Sequence, residues 1–223
     1  YERRLRLSCF DGAHAFLFEA ELLRDGTMEG VFQSGDWWTE SWTAVPDADA
    51  SLPDAMDETR WVENGDLSSL VFKDALGRPV TLEQFEGSPR LIEIFGTWCP
   101  NCADAGEYLV ELDANYRDRG LEVVGLAFEL SDDHERSARQ VKRFADHHGT
   151  QYPIYIAGLS NKDKASEAFP VLDRVRSYPT FIFIDRDETV RAIWTGFSGP
   201  ATGAEHERLR ERFESLIESM LSE

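Results

Sequence analysis

An apolar run that ends on two closely spaced cysteines constrains this chain more than any other feature. Leu91-Ile92-Glu93-Ile94-Phe95 reads as a buried strand that stops at Gly96, and Thr97-Trp98-Cys99-Pro100-Asn101-Cys102 follows at once. From Ala103 to Arg117 the apolar residues Ala105, Tyr108, Leu109, Leu112 and Tyr116 recur at helical spacing. The cysteines therefore stand where a strand hands over to a helix. Unpaired N–H groups and the positive end of the helix dipole stabilise a thiolate at such a place. Pro100 suits the first helical turn, where its missing N–H would have had no partner.

A lone Cys-x-x-Cys is ambiguous between half a zinc site and a redox pair. Far downstream, however, Tyr178-Pro179-Thr180 precedes a second apolar run, Phe181-Ile182-Phe183-Ile184. Trp-Cys-x-x-Cys opening a helix, with Tyr-Pro-Thr before a late strand, resembles the active site of the thioredoxin superfamily. In that superfamily a cis-proline at the second motif lies against the two cysteines.

The first 44 residues are expected to form a small all-β piece. Leu5 to Phe10, Ala15 to Leu22, Met28 to Phe32 and Trp38 to Trp42 are short runs rich in aromatic and branched residues, separated by Asp11-Gly12, Asp25-Gly26 and Ser34-Gly35-Asp36. So short an all-strand piece is marginal alone, so it is expected to pack on a neighbour or to continue a domain that begins before Tyr1. Cys9 is expected as a small buried core residue, since an unbridged cysteine packs like a small hydrophobe. Trp37, Trp38 and Trp42 fit sheet packing better than a binding surface. Residues 45–66 hold seven acidic residues and one Arg, with Pro46 and Pro53, and read as an extended, solvated linker.

Over 67–223 the pattern is α/β. Leu70 to Phe72 and Pro79 to Leu82 flank Asp74-Ala75-Leu76-Gly77-Arg78 as a hairpin. After the core strand and the cysteine helix come a strand at Leu121 to Phe128, a helix at Asp133 to His148, a strand at Tyr152 to Ala157 and a short helix at Lys162 to Phe169. Strands at Thr180 to Asp185 and Val190 to Thr195 lead to a last helix, for which Thr202-x-x-Glu205 offers a capping box. Alternating strands and helices imply a sheet covered on both faces.

This order, with its leading hairpin and central helix–strand insertion, is similar to the TlpA/ResA group of extracytoplasmic thiol-disulfide oxidoreductases over about residues 67 to 223. The resemblance implies a thioredoxin-like fold in which Cys99 attacks a partner disulfide and Cys102 resolves the mixed disulfide. It also places Trp98 beside the cysteines as a lid, and Pro179 and the Tyr178 backbone against the substrate strand; Pro100 belongs to the same contact region. Glu93 lies six residues before Cys99, where thioredoxin carries a buried Asp, and would exchange a proton with Cys102. Many relatives also carry a Glu three residues after the second cysteine. Here Ala105 stands there, and Glu107 faces another side of the helix. Peroxiredoxins share the extended core, but their reactive cysteine needs Thr or Ser three residues earlier. Gly96 occupies that position, which argues against peroxidase chemistry.

The implied function is reduction of disulfides in extracytoplasmic proteins, with a membrane or soluble electron donor and no cofactor beyond the Cys99–Cys102 redox pair. A disulfide-forming oxidant, or a non-catalytic binding module on the same scaffold, is the alternative. Lys and Arg number 23 against 42 Asp and Glu, and the formal charge of −19 argues against nucleic acid and anionic membrane as partners. No run reaches the roughly 18 apolar residues of a membrane span. The chain opens on Tyr1, so any export signal or anchor is expected to have been removed. No metal site is expected: His147-His148 closes a helix, where positive charge is favoured, and no cysteine or carboxylate pattern surrounds it.

Overall fold

Strand patterns in the two parts of the chain build two separate sheets. The computed structural model describes residues 3–10, 15–36, 38–63 and 65–222. The chain divides into two units, Tyr1–Leu52 and Pro53–Glu223.

The first unit is an antiparallel meander of β1 (Arg4–Phe10), β2 (Ala15–Leu22), β3 (Met28–Ser34) and β4 (Trp38–Ala44), in that spatial order. The Asp11-Gly12 turn signal, His14 and Trp37 lie outside the described residues. The register sets Leu7 opposite Phe18, and Phe18 opposite Phe32, so side-chain alternation collects the apolar residues on one face. The Phe18 and Phe32 rings meet at 4.7 Å. Cys9 differs from expectation. It is exposed rather than buried, because it lies on an edge strand of a sheet that has no second layer of its own.

The second unit is a seven-stranded mixed sheet. Its strands are β5 (Phe72–Lys73), β6 (Pro79–Val80), β7 (Arg90–Phe95), β8 (Glu122–Glu129), β9 (Ile154–Leu159), β10 (Thr180–Ile184) and β11 (Val190–Thr195). Their spatial order is β11-β10-β7-β8-β9-β5-β6. Strands β7, β8 and β9 run parallel, and the β5–β6 hairpin joins the far edge antiparallel to β9. The hairpin strands are shorter than the sequence implies, because the chain turns into a 3-10 turn at Glu83–Phe85.

Helices α1 (Pro100–Tyr116), α2 (His134–His148), α3 (Lys162–Ala168) and α4 (Ala204–Ser222) cover the sheet. Every residue of β7 and β10 is buried, as central strands of a two-faced sheet require. Alternation splits them: Leu91, Phe181 and Phe183 pack with Leu109, Phe213 and Ile217 of α1 and α4. Ile92, Ile94, Ile182 and Ile184 pack with Phe169 and Val175 after β9. Gly106 of α1 lets α2 approach, since a Cβ there would lie 2.7 Å from the Phe144 ring.

The expected linker over 45–66 is divided. From Pro53 the chain belongs to the second unit, where it runs beside β11: the Thr195 N–H donates to the Ala55 carbonyl at 2.9 Å, and the Thr59 and Thr195 hydroxyls meet at 2.7 Å. Trp61 then bridges to Leu172. An acidic, proline-containing segment is held here because its backbone and Thr59 find partners on the domain. The expected capping box at Thr202 is also replaced. Its hydroxyl donates to the Gly199 carbonyl inside a 3-10 turn at Pro200–Thr202, and α4 starts after Gly203, whose carbonyl accepts from the Glu207 N–H.

Phe213 is fully buried and its ring meets those of Phe181, Phe183, Trp194 and Tyr108. Truncating it to alanine removes this hub, so Phe213→Ala is expected to cost about 3–5 kcal/mol of stability in chemical denaturation.

Candidate active site

The handover from β7 to α1 places both sulfurs. Cys99 has extended backbone angles and caps α1, with Pro100 in the first turn. Its sulfur accepts the Cys102 N–H at 3.3 Å, and its thiol donates to the Tyr178 carbonyl at 3.6 Å. An amide at the start of a helix aimed at sulfur is the arrangement that favours charge there. Cys102 is fully buried, whereas Cys99 is 7% exposed and so reachable only through a narrow opening.

The Tyr178–Pro179 peptide is cis, and Pro179 directly precedes β10. Antiparallel pairing of β10 with β7 brings this loop to the cysteine end of the sheet, since Thr180 pairs with Ile94. The Tyr178 hydroxyl donates to the Ser160 carbonyl at 3.0 Å, which fixes the ring. Trp98 stands edge-on to that ring with centroids 5.6 Å apart. Its indole N–H donates to the Phe128 carbonyl at 2.9 Å, and the ring lies over Gly96, where a Cβ would come within 2.3 Å of it. The structure thus brings together all seven residues singled out in the sequence, with Trp98 turned toward the end of β8 and Tyr178.

Glu93 lies two residues before Phe95 on β7, wholly buried, and neither carboxylate oxygen has a hydrogen-bond partner among the described residues. Among the described residues no cation pairs with it. Loss of solvent, and then the nearby charge of Cys99, raise its pKa well above the ordinary 4.5. Burial likewise pushes the Cys102 thiol well up, followed by its contact with Cys99 and by the charges of Cys99 and Glu93. Burial disfavours the anionic form of both groups. Ala105, at the position where relatives carry a Glu, is fully buried. A charge there would lack water.

Sequence reasoning missed Glu129. It ends β8, is 3% exposed, and accepts from both the Thr97 N–H at 3.0 Å and the Thr97 hydroxyl at 2.8 Å. This carboxylate braces the turn just before Trp98 and Cys99. The available signal was an acidic residue closing an otherwise apolar strand.

The model of the family described as AhpC/TSA matches residues 66–193. The chain belongs to the AhpC/TSA family. Within that setting it is similar to thiol-disulfide oxidoreductase ResA of Bacillus thuringiensis, 28% identical over 122 residues that cover 55% of this chain and 63% of ResA. It thus spans less than two thirds of the ResA relatives it matches. An uncharacterized protein of Haemophilus influenzae is 28% identical over 133 residues, covering 60% of this chain and 80% of that protein. Solved structures agree on the fold. A thiol-disulfide isomerase from Corynebacterium glutamicum superposes with a TM-score of 0.54 at 17% identity, covering 73% of this chain and 99% of that one. A thioredoxin family thiol:disulfide interchange protein from Chlorobium tepidum gives 0.52 at 20% identity, covering 72% and 98%. The AhpC/TSA-family part of this chain therefore has a thioredoxin-like fold, with the small all-β piece before it.

Two outcomes follow from the buried acids. The pKa of Glu93 is raised in the folded state, so the ionisation-linked part of its burial cost is absent below about 4.5 and grows as pH rises above that value. Glu93→Leu is therefore expected to stabilise the protein by about 2 kcal/mol at neutral pH, with the gain shrinking as pH falls toward about 4.5, in denaturant titrations across pH. Glu129→Ala strands the Thr97 donors and is expected to cost about 1–3 kcal/mol in the same assay.

Proposed function

We propose that the chain is a thiol-disulfide oxidoreductase that reduces disulfides of extracytoplasmic proteins. The observation that carries this reading is a helix-capping Cys99 sulfur held against the Tyr178 carbonyl, with buried, unpaired Glu93 close enough for its charge to act on Cys102. The likeness to ResA supports the reaction class, and the resemblance to the TlpA/ResA group supports the extracytoplasmic setting.

The Cys99 thiolate attacks one sulfur of the partner disulfide. A mixed disulfide forms, and the partner's other sulfur leaves and takes up a proton. Glu93 accepts the proton of Cys102, whose thiolate then attacks the Cys99 sulfur. The Cys99–Cys102 disulfide closes and the partner's second sulfur departs as a thiolate, to be protonated. Two electrons and two protons have passed from the protein's dithiol to the partner. The Tyr178 backbone before Pro179 lines up the incoming chain, and Trp98 and Pro100 flank the attacked sulfur.

Direct measurement of the reduction potential of the pair tests the direction. A value near thioredoxin's roughly −270 mV is expected, and one near the roughly −120 mV of strong oxidants would reverse the reading. Cys99→Ser should abolish insulin-disulfide reduction, and Cys102→Ser should accumulate the mixed disulfide. Glu93→Gln should slow resolution about 10²-fold while leaving mixed-disulfide formation nearly unchanged, as seen by quenched-flow trapping.

A further inference from the structure

Two adjoining clefts lie beside the dithiol turn and are used by nothing described above. The larger, of about 540 Å³, is lined by Thr97 and Ala103 on one side and by Gln140, Arg143 and His147 on the other. The smaller, of about 150 Å³, shares Thr97 and Gln140 and adds Trp98 and Arg136. Both therefore open against the residues flanking Cys99 and Cys102.

The wall that α2 contributes has one chemistry. Arg136, Gln140, Arg143 and His147 fall at helical spacing, next to the buried row of Ser137, Val141 and Phe144. Other charges of this helix are engaged, Arg139 with Glu135 and Lys142 with Asp146. Among the described residues, Arg136 and Arg143 have no carboxylate partner. Glu129, which also lines the smaller cleft, is committed to Thr97. Asp146 lines the larger one but is held by Lys142, and Glu107 of α1 faces His148. In a chain of net charge −19, two arginines with no carboxylate partner among the described residues and a histidine, aligned along one helix row over the two adjoining clefts beside the reactive thiols, are a local reversal of sign.

The length of the row selects the ligand. From Arg136 to His147 the helix rises about 16 Å at 1.5 Å per residue. That matches roughly five residues of extended polypeptide at about 3.3 Å each, and exceeds the reach of a small disulfide.

We propose that this cleft docks an extended, acidic segment of the substrate polypeptide adjacent to its disulfide, with Arg136 and Arg143 reading its carboxylates. The proposal rests on the thiol-disulfide exchange reading. At about 0.15 M ionic strength charges beyond about 8 Å are screened, so the cleft outweighs the net charge of the chain for a segment lying in it.

The test compares matched peptides that carry one disulfide flanked by Asp or by Lys, using the reduced full chain at that ionic strength. The ratio of kcat/KM for the Asp peptide over the Lys peptide is expected above one, and to fall about fivefold in Arg136→Glu/Arg143→Glu. An equal charge change on α4, whose residues line neither cleft, Arg208→Glu/Arg212→Glu, should move the ratio less than about twofold. Because each ratio is taken within one variant, partial loss of folded protein cancels. A preference for the Lys peptide, or an equal shift in both variants, overturns the cleft assignment. Reduction of the neutral 2-hydroxyethyl disulfide by the unmutated chain reads the dithiol itself, and an inert dithiol there would overturn the exchange reading and the docking proposal together.

Discussion

Burial of β7 on both faces is the constraint from which the rest of the second unit follows. A strand with no exposed residue must have neighbours on both edges and a layer over each face. β8 and β10 supply the edges. Leu91 and Ile92 point to opposite layers, one built by α1 and α4 and the other by the chain after β9. The strand's end then becomes a fixed platform. Everything chemical in the molecule stands on it, because Gly96 begins the turn that carries Trp98 and both cysteines.

Two buried charged residues interrupt that apolar background: Arg90 pairs with Glu188, whereas the carboxylate oxygens of Glu93 have no hydrogen-bond partner among the described residues. A buried carboxylate without a hydrogen-bond partner costs stability, and loss of solvent raises its pKa well above the ordinary value. Cys102 sits in the same dry space and is raised for the same reason, so the two are poised relative to each other rather than to bulk water. Glu129 acts differently. It is buried but saturated by Thr97, and it serves the site by holding the turn still. Two buried glutamates on neighbouring strands thus differ in whether their oxygens are satisfied among the described residues.

The elements were largely legible because each carries its own period. The apolar runs of β7 and β10, the helical spacing after Cys102 and the Pro179 motif were readable from neighbouring residues alone. The misreadings share a cause. Cys9 looked like a core residue, but burial depends on whether another layer covers the strand, and β1 is an edge strand in a single layer. Thr202 had a capping sequence, yet its hydroxyl turned to Gly199 and the helix began after Gly203. Residues 53 to 66 had linker composition, but β11 offered them hydrogen-bond partners.

The sequence by itself determined the setting of Cys99: a strand, a glycine, a cysteine pair and a helix fall in an order that leaves it at a helix N-terminus. Local covalent spacing is enough for that. Only the tertiary structure decided which distant residues meet there. It brought Tyr178 to Cys99, closed Glu129 on Thr97, and left Glu93 without a partner while setting the Arg136–His147 row beside the thiols. Those relations depend on the order in which strands assemble into the sheet and on the approach of α2 to α1 at Gly106, and neither is written in the spacing of any one segment.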